Sequence, residues 1–179
     1  MENKLKTIFE NVNSWLRFAE AKNGILFATN CALIGGIFQF LDIQKINIYL
    51  LIYAWLVIGT LLSSALICSI SFVPQLKMPW FFNNSTSESD NLLFFGHLAK
   101  YKPYKLLEKL KDTYKITSAI PEFESDYAEQ IITNSKITVI KYAYFKLAIW
   151  ISISALGTPL LALALWLINR HIREEQNND

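Results

Sequence analysis

The chain has 179 residues, of which 53% are hydrophobic, 14% aromatic and only 18% charged, with a formal net charge of +2. Soluble domains average about 25% charged residues, so an ordinary soluble domain fits poorly, and a charge of +2 says little about partners. Gly and Pro are sparse, which argues against long disordered linkers and for one compact unit.

Residues 1–22 form an amphipathic segment. Leu5, Ile8, Phe9, Val12, Trp15, Leu16 and Ala19 recur at helical spacing, with charged and polar residues between them. No proline separates this segment from the first apolar stretch, 23–41, so one helix is expected from about Asn3 to Phe40. The charged start and the missing cleavage pattern do not resemble a signal peptide, so span one is expected to stay in the mature protein. Asp42 to Lys45 is a tight link, which makes spans one and two an antiparallel hairpin. The second stretch, 46–73, has no charged side chain and exceeds the roughly 20 apolar residues that cross a bilayer. Pro74 and Pro79 end it, and Trp80, Phe81 and Phe82 suit a membrane interface.

Residues 74–146 read as a helical region. A polar loop ends near Asp90, a short helix begins at Asp90 or Asn91 and is capped by one of them, and Pro103 stands at the first position of the next helix. Leu106, Leu107 and Leu110 are its inward face. Pro121 starts the last helix, which runs without interruption into span three, 147–168. Pro159 is expected to kink that span because it cannot donate to the carbonyl of Ala155. Residues 169–179 are a polar tail. The class is all-α: a membrane protein with three transmembrane helices and a helical cytoplasmic region between spans two and three.

Charge sets the expected orientation. Ten lysines lie between Lys77 and Lys146, and the N-terminal segment adds more, whereas the link between spans one and two holds only Lys45 against Asp42. The positive-inside rule places the N-terminus and the long region in the cytoplasm. The sequence suggests a multi-pass membrane protein.

Inside the spans, Asn30 must find a partner across the hairpin, between subunits or in a pore, because an unpaired amide in hydrocarbon is costly. Thr60, Ser64, Cys68 and Ser71 share one stripe of span two, with Gly59 and Ser63 beside it. Close helix packing and a weakly polar pore face are both readings of that stripe. Cys31 and Cys68 are packing residues, and neither suggests a disulfide or a metal site. Three helices cannot enclose a water-filled channel, so a permeability function implies a homo-oligomer.

The stretch Ala19-Glu20-Ala21-Lys22 leads into a span containing Asn30. The string Asn91-Leu92-Leu93-Phe94-Phe95-Gly96-His97 opens the long region, and Asp126, Gln130, Ile131, Asn134, Ser135, Lys141 and Tyr142 precede the last span. On these residues the chain resembles, over nearly its whole length, the transmembrane effector family of Pycsar, a bacterial anti-phage system. The resemblance implies that a cyclase produces a cyclic pyrimidine mononucleotide on infection. The effector senses it and impairs the inner membrane before phage spread. First-span helices of that family often carry Asp where this chain has Glu20.

Such a ligand needs a cation for its phosphate, an apolar wall for its base and amides for its edges. Lys22, Lys100 and Lys141 are candidate cations, Phe94 and Phe95 a candidate wall. Gln130 and Asn134, one turn apart, are candidate base readers, and Asp126 on the same face can orient a lysine or accept from the ribose. Each has a plainer use: Phe94 and Phe95 as core aromatics, the lysines as a solvated face, the amides as helix-to-helix bonds. His97 reads as structural or exposed, and Asn91 as a cap.

There is no P-loop, no H-E-x-x-H, no Gly-rich dinucleotide turn and no C-x-x-C, so no catalytic residue and no metal is expected, and no cofactor beyond the activating cyclic mononucleotide. The expected partners are cCMP or cUMP, the lipid bilayer and further copies of the chain, with no nucleic-acid polymer. The competing reading is a scaffold or accessory subunit of a membrane complex that binds no nucleotide.

Overall fold

A computed structural model of the chain describes residues 1–43, 47–73, 85–115 and 122–176. In chain order the helices are α1 (Glu2–Ile43), α2 (Ile48–Phe72), α3 (Phe95–Leu98), α4 (Pro103–Tyr114) and α5 (Glu122–Gln176), and no strand occurs among the described residues. The protein is all-α, and three of its helices are long and apolar enough to cross a membrane. The expected continuity of the first and last helices is observed. α5 passes Pro159 without ending; side chains from 159 onward, Ile168 apart, lie outside the described residues, and with them the bend expected at Pro159. Pro74, Pro79, Trp80 to Phe82 and Pro121 also lie outside the described residues.

Local chemistry sets the helix ends. Asn47 Oδ1 accepts from the Tyr49 N–H at 3.1 Å and so caps α2. Pro103 is at the N-terminus of α4, where a missing N–H costs nothing. Lys115 closes α4 in the left-handed region (φ 54°), its N–H bonded to the Lys111 carbonyl. Glu122 and Glu124 sit in the first turn of α5, where the helix dipole favours negative charge. One expectation is corrected: α3 begins at Phe95 after Phe94, with no side-chain cap. Asn91 instead caps a turn, its Oδ1 accepting from Leu93 N–H at 2.8 Å and its carbonyl from Phe94 N–H at 3.1 Å.

The chain divides into two compact units, Met1–Gly24 with Ser69–Phe145, and Ile25–Cys68 with Lys146–Asp179. The first, the head unit, has an apolar core. Leu5, Ile8 and Val12 of α1 pack with Phe95 and Leu98 of α3, the three buried leucines of α4, and Ala128, Ile131 and Ile132 of α5. Each buried leucine contributes roughly 1.5–3 kcal/mol. The N-terminal ammonium pairs with Glu124 at 3.4 Å, both buried, and so ties the start of α1 to α5.

The second, the span unit, has its apolar residues outside. Ile25, Leu56, Trp55, Leu66, Trp150 and Ile153 are all exposed, as expected of side chains that meet lipid. Its interior holds Leu26, Ile58, Leu61, Ala65, Cys68, Ala148 and Ala155 together with Asn30, Ser64 and Ser152.

Candidate functional site

In the span unit, the buried polar residues Asn30, Ser64 and Ser152 form one network across three helices. Asn30 Nδ2 donates to Ser64 Oγ at 2.9 Å, and Ser152 Oγ donates to Asn30 Oδ1 at 2.9 Å. Ser64 Oγ lies 2.8 Å from both the Ala148 carbonyl and Ser152 Oγ. Ser64 and Ser152 each have one hydroxyl hydrogen, so two hydrogens serve three contacts. Asn30 thus finds its partners across the hairpin and on the third helix. Of the small-residue stripe, Ser64 and Cys68 are buried in this unit, while half-buried Thr60 donates to the Leu56 carbonyl of its own helix at 2.8 Å. Thr60 also borders a cavity of about 260 Å³ with Tyr53, Leu56, Val57 and Ser154. Cys31 is exposed and, like Cys68, a free thiol.

In the head unit, the candidate ligand residues fall into three groups. Lys22, Phe94 and Phe95 gather around Tyr142, and Lys141 is its chain neighbour. The Phe95 ring stacks on Tyr142 with centroids 5.3 Å apart and planes at 15°, and Phe94 leans on Phe95 at 4.7 Å. The Lys22 ammonium lies over Phe18 at 4.4 Å, Phe145 at 5.4 Å and Tyr142 at 5.6 Å, a cation–π arrangement. Lys141 is buried: its ammonium donates to the Ser71 carbonyl at 2.8 Å, in the last turn of α2, and pairs with Glu20 at 3.3 Å. That carbonyl sits at the negative end of the helix dipole, which suits a buried cation. Asn23 Nδ2 completes the joint by donating to the Lys141 carbonyl at 3.1 Å and the Ala19 carbonyl at 2.9 Å.

Asn134 stands apart, donating to Asn13 Oδ1 at 2.8 Å, a bond between α5 and α1. Asp126 and Gln130 are exposed on α5 and do not join the Tyr142 cluster. The direct ligand contacts suggested for Lys141, Asn134 and Phe95 therefore meet groups already engaged: an internal ion pair, an inter-helix amide bond and the packed core.

The Asn91–His97 string is held as a folded turn. Asn11 Nδ2 donates to the Leu93 carbonyl at 2.8 Å, and the Asn91 N–H donates to His97 Nδ1 at 2.8 Å, so this nitrogen acts as an acceptor. Gly96 lets the Phe94 ring fold over it; a Cβ there would lie 2.6 Å from the ring. Beside the turn, burial alone would raise the Asp90 carboxyl. Hydrogen bonds from the Ser87 N–H and the Lys100 ammonium, with the Lys100 charge, outweigh it and hold the group below the usual carboxylate range. The Tyr101 hydroxyl, 3.3 Å from Asp90, is pushed up by burial and by that carboxylate.

Sequence reasoning missed Glu20, Asn23 and Ser71 as the partners of Lys141, and Tyr142 as the ring that meets Phe95 and Lys22. Helical spacing puts Glu20 and Asn23 on one side of α1, but nothing local points to Ser71, about 70 residues from Lys141.

Fold and network together define a small three-span helical membrane protein whose helical head unit combines the start of α1 with the region between spans two and three. Residues 4–168 match a family model described as the Pycsar effector protein domain, and the chain belongs to that family. It is a Pycsar transmembrane effector of anti-phage defence, which implies cyclic-nucleotide signalling and membrane association. No curated protein and no solved structure matches.

Proposed function

We propose that the head unit senses a cyclic pyrimidine mononucleotide, cCMP or cUMP, on the cytoplasmic side of the bacterial inner membrane. The span unit then impairs that membrane as a homo-oligomer. The reading has no enzymatic step and no cofactor other than the activating ligand. The observation that carries it is continuity: α1 and α5 each run unbroken from residues of the head unit into residues of the span unit. A change in how the head packs is thereby delivered along two helices. The ligand must favour the active arrangement differentially, since equal affinity for both states shifts nothing. The lysine-rich middle region supports the cytoplasmic side through the positive-inside rule.

The engagement of Lys141 and Asn134 within the fold gives them the role of holding the resting packing, and leaves exposed Gln130, Asp126 and Phe94 as the candidates open to a ligand. The same engagement favours a second reading, an accessory subunit that binds no nucleotide. Calorimetric titration of the purified full chain with a panel of cyclic mononucleotides, paired with dye release from liposomes that contain it, separates the two. Binding with ligand-dependent leakage supports the sensor; no heat with any nucleotide supports the accessory subunit.

A further inference from the structure

A different part of the head unit has a chemistry that the resemblance did not single out. The turn between α3 and α4, the start of α4, Thr86 and Lys136 of α5 line one cavity of about 320 Å³. Four of the lining residues are lysines, Lys100, Lys102, Lys105 and Lys136, and none is acidic. Lys100 shares its ammonium with Asp90 at 3.4 Å, while Lys102, Lys105 and Lys136 make no ion pair among the described residues. Lys105 also borders a second groove with Glu88, Glu108 and Asp112, so Lys102 and Lys136 are the lining cations that neither pair with an acid among the described residues nor border that groove.

Like charges around a concavity repel and focus a positive potential into it. A solvated lysine face spreads its charges instead. The α4 terminus adds to the field: it has no side-chain cap and no acidic residue in its first turn, so its free N–H groups are uncompensated. The Tyr101 hydroxyl is committed to Asp90 and the Ser87 carbonyl, leaving the ammonium groups of Lys102, Lys105 and Lys136 and the Thr86 hydroxyl as the polar side-chain groups of the lining with no partner among the described residues.

The geometry points to this cavity as the site that takes the phosphodiester anion of a single cyclic nucleotide, clamped between Lys102 on the α3–α4 turn and Lys136 on α5. This rests on the sensing role proposed above and adds its anion subsite. The volume is at the small end of the roughly 300–1,000 Å³ usual for ligand cavities, which suits one mononucleotide better than a cyclic dinucleotide. An anion held there bridges α5 to the α3–α4 turn, which gives a ligand the means to change how those elements pack.

A phospholipid headgroup carries the same phosphodiester, so the test has two arms. The full chain in detergent is titrated with cCMP, cUMP and a cyclic dinucleotide, and separately with dihexanoyl phosphatidylglycerol. K102Q/K136Q is compared with K109Q/K111Q, which removes the same charge from elsewhere on α4, and thermal unfolding checks that both remain folded. The expected result is at least tenfold weaker cyclic mononucleotide binding in K102Q/K136Q, little change in K109Q/K111Q, and no dinucleotide binding. Equal losses in the two variants, no loss in either, or dinucleotide binding as tight as that of the mononucleotide overturns the site. Lysine-dependent binding of the short-chain lipid without nucleotide binding reassigns the cavity to the membrane and overturns it too. A parent protein that binds no cyclic nucleotide and no lipid defeats the sensing role itself, whereas a binding parent with an unaffected K102Q/K136Q defeats only this subsite.

Discussion

The head unit and the span unit treat their polar groups in opposite ways. The head buries leucines and isoleucines and handles charge by pairing it, as Met1 with Glu124 and Lys141 with Glu20 and the Ser71 carbonyl. The span unit exposes its large apolar residues and buries an uncharged network, Asn30 with Ser64 and Ser152. The difference follows from the solvent on the outside. Water rewards burying apolar surface, whereas lipid is as apolar as leucine, so small residues and hydrogen bonds hold spans together. A buried charge is tolerable in the head because α2 supplies a carbonyl for it.

The sharpest way to break this contrast is to delete equal apolar volume from each unit. Leu107→Ala, at a buried head position, is expected to cost about 3 kcal/mol. Leu66→Ala, at an exposed span position, should cost almost nothing in a bilayer. Hydrogen exchange of α3 and α4 against α2 in reconstituted protein reads the two; equal losses end the contrast. Next in size is Lys141→Met, which keeps the side-chain length but strips the Ser71 carbonyl of a charged donor and Glu20 of its partner. About 2 kcal/mol is expected, because Glu20 is half exposed and recovers water. Thermal unfolding in detergent measures it, and Glu20→Gln should cost clearly less.

Ser64→Ala probes the span network. Hydrogen bonds between membrane helices are worth about 0.6 kcal/mol on average, so about 1 kcal/mol is expected for the loss of two or three contacts. Ser64→Cys, with its weaker donor, should fall between, as judged by unfolding in mixed detergent. The smallest effect is a pH dependence confined to the head. Asp90 has a lowered carboxyl, so its contribution is complete above the unfolded value of about 3.9. It is lost as the pH falls through the lower folded value. Asp90→Asn should flatten the acid limb of the head's stability profile and leave α2 exchange unchanged.

Much of the fold was legible in the sequence because it rests on periodicity and on breaks. The stripe from Leu5 to Ala19, Pro103 at the start of α4, and the lack of any breaker between Pro121 and Gly157 each act over a few residues. The short helix was misplaced for the opposite reason. Asn91 satisfies a local turn whose exit is set by His97 and Asn11, one of them 80 residues earlier. At the candidate site, availability was not visible: the Lys141 ammonium and the Asn134 amide are groups that the fold itself engages.

The sequence alone determined the three spans, the all-helical class and the family, because hydrophobic length and short-range spacing survive without any knowledge of neighbours. Only the tertiary structure decided which polar groups are spent on the protein and which face outward. Ser71 against Lys141 and Asn13 against Asn134 are contacts between distant segments, Lys102 and Lys136 come from distant segments to line one cavity, and no local rule of spacing encodes a placement made only when helices meet.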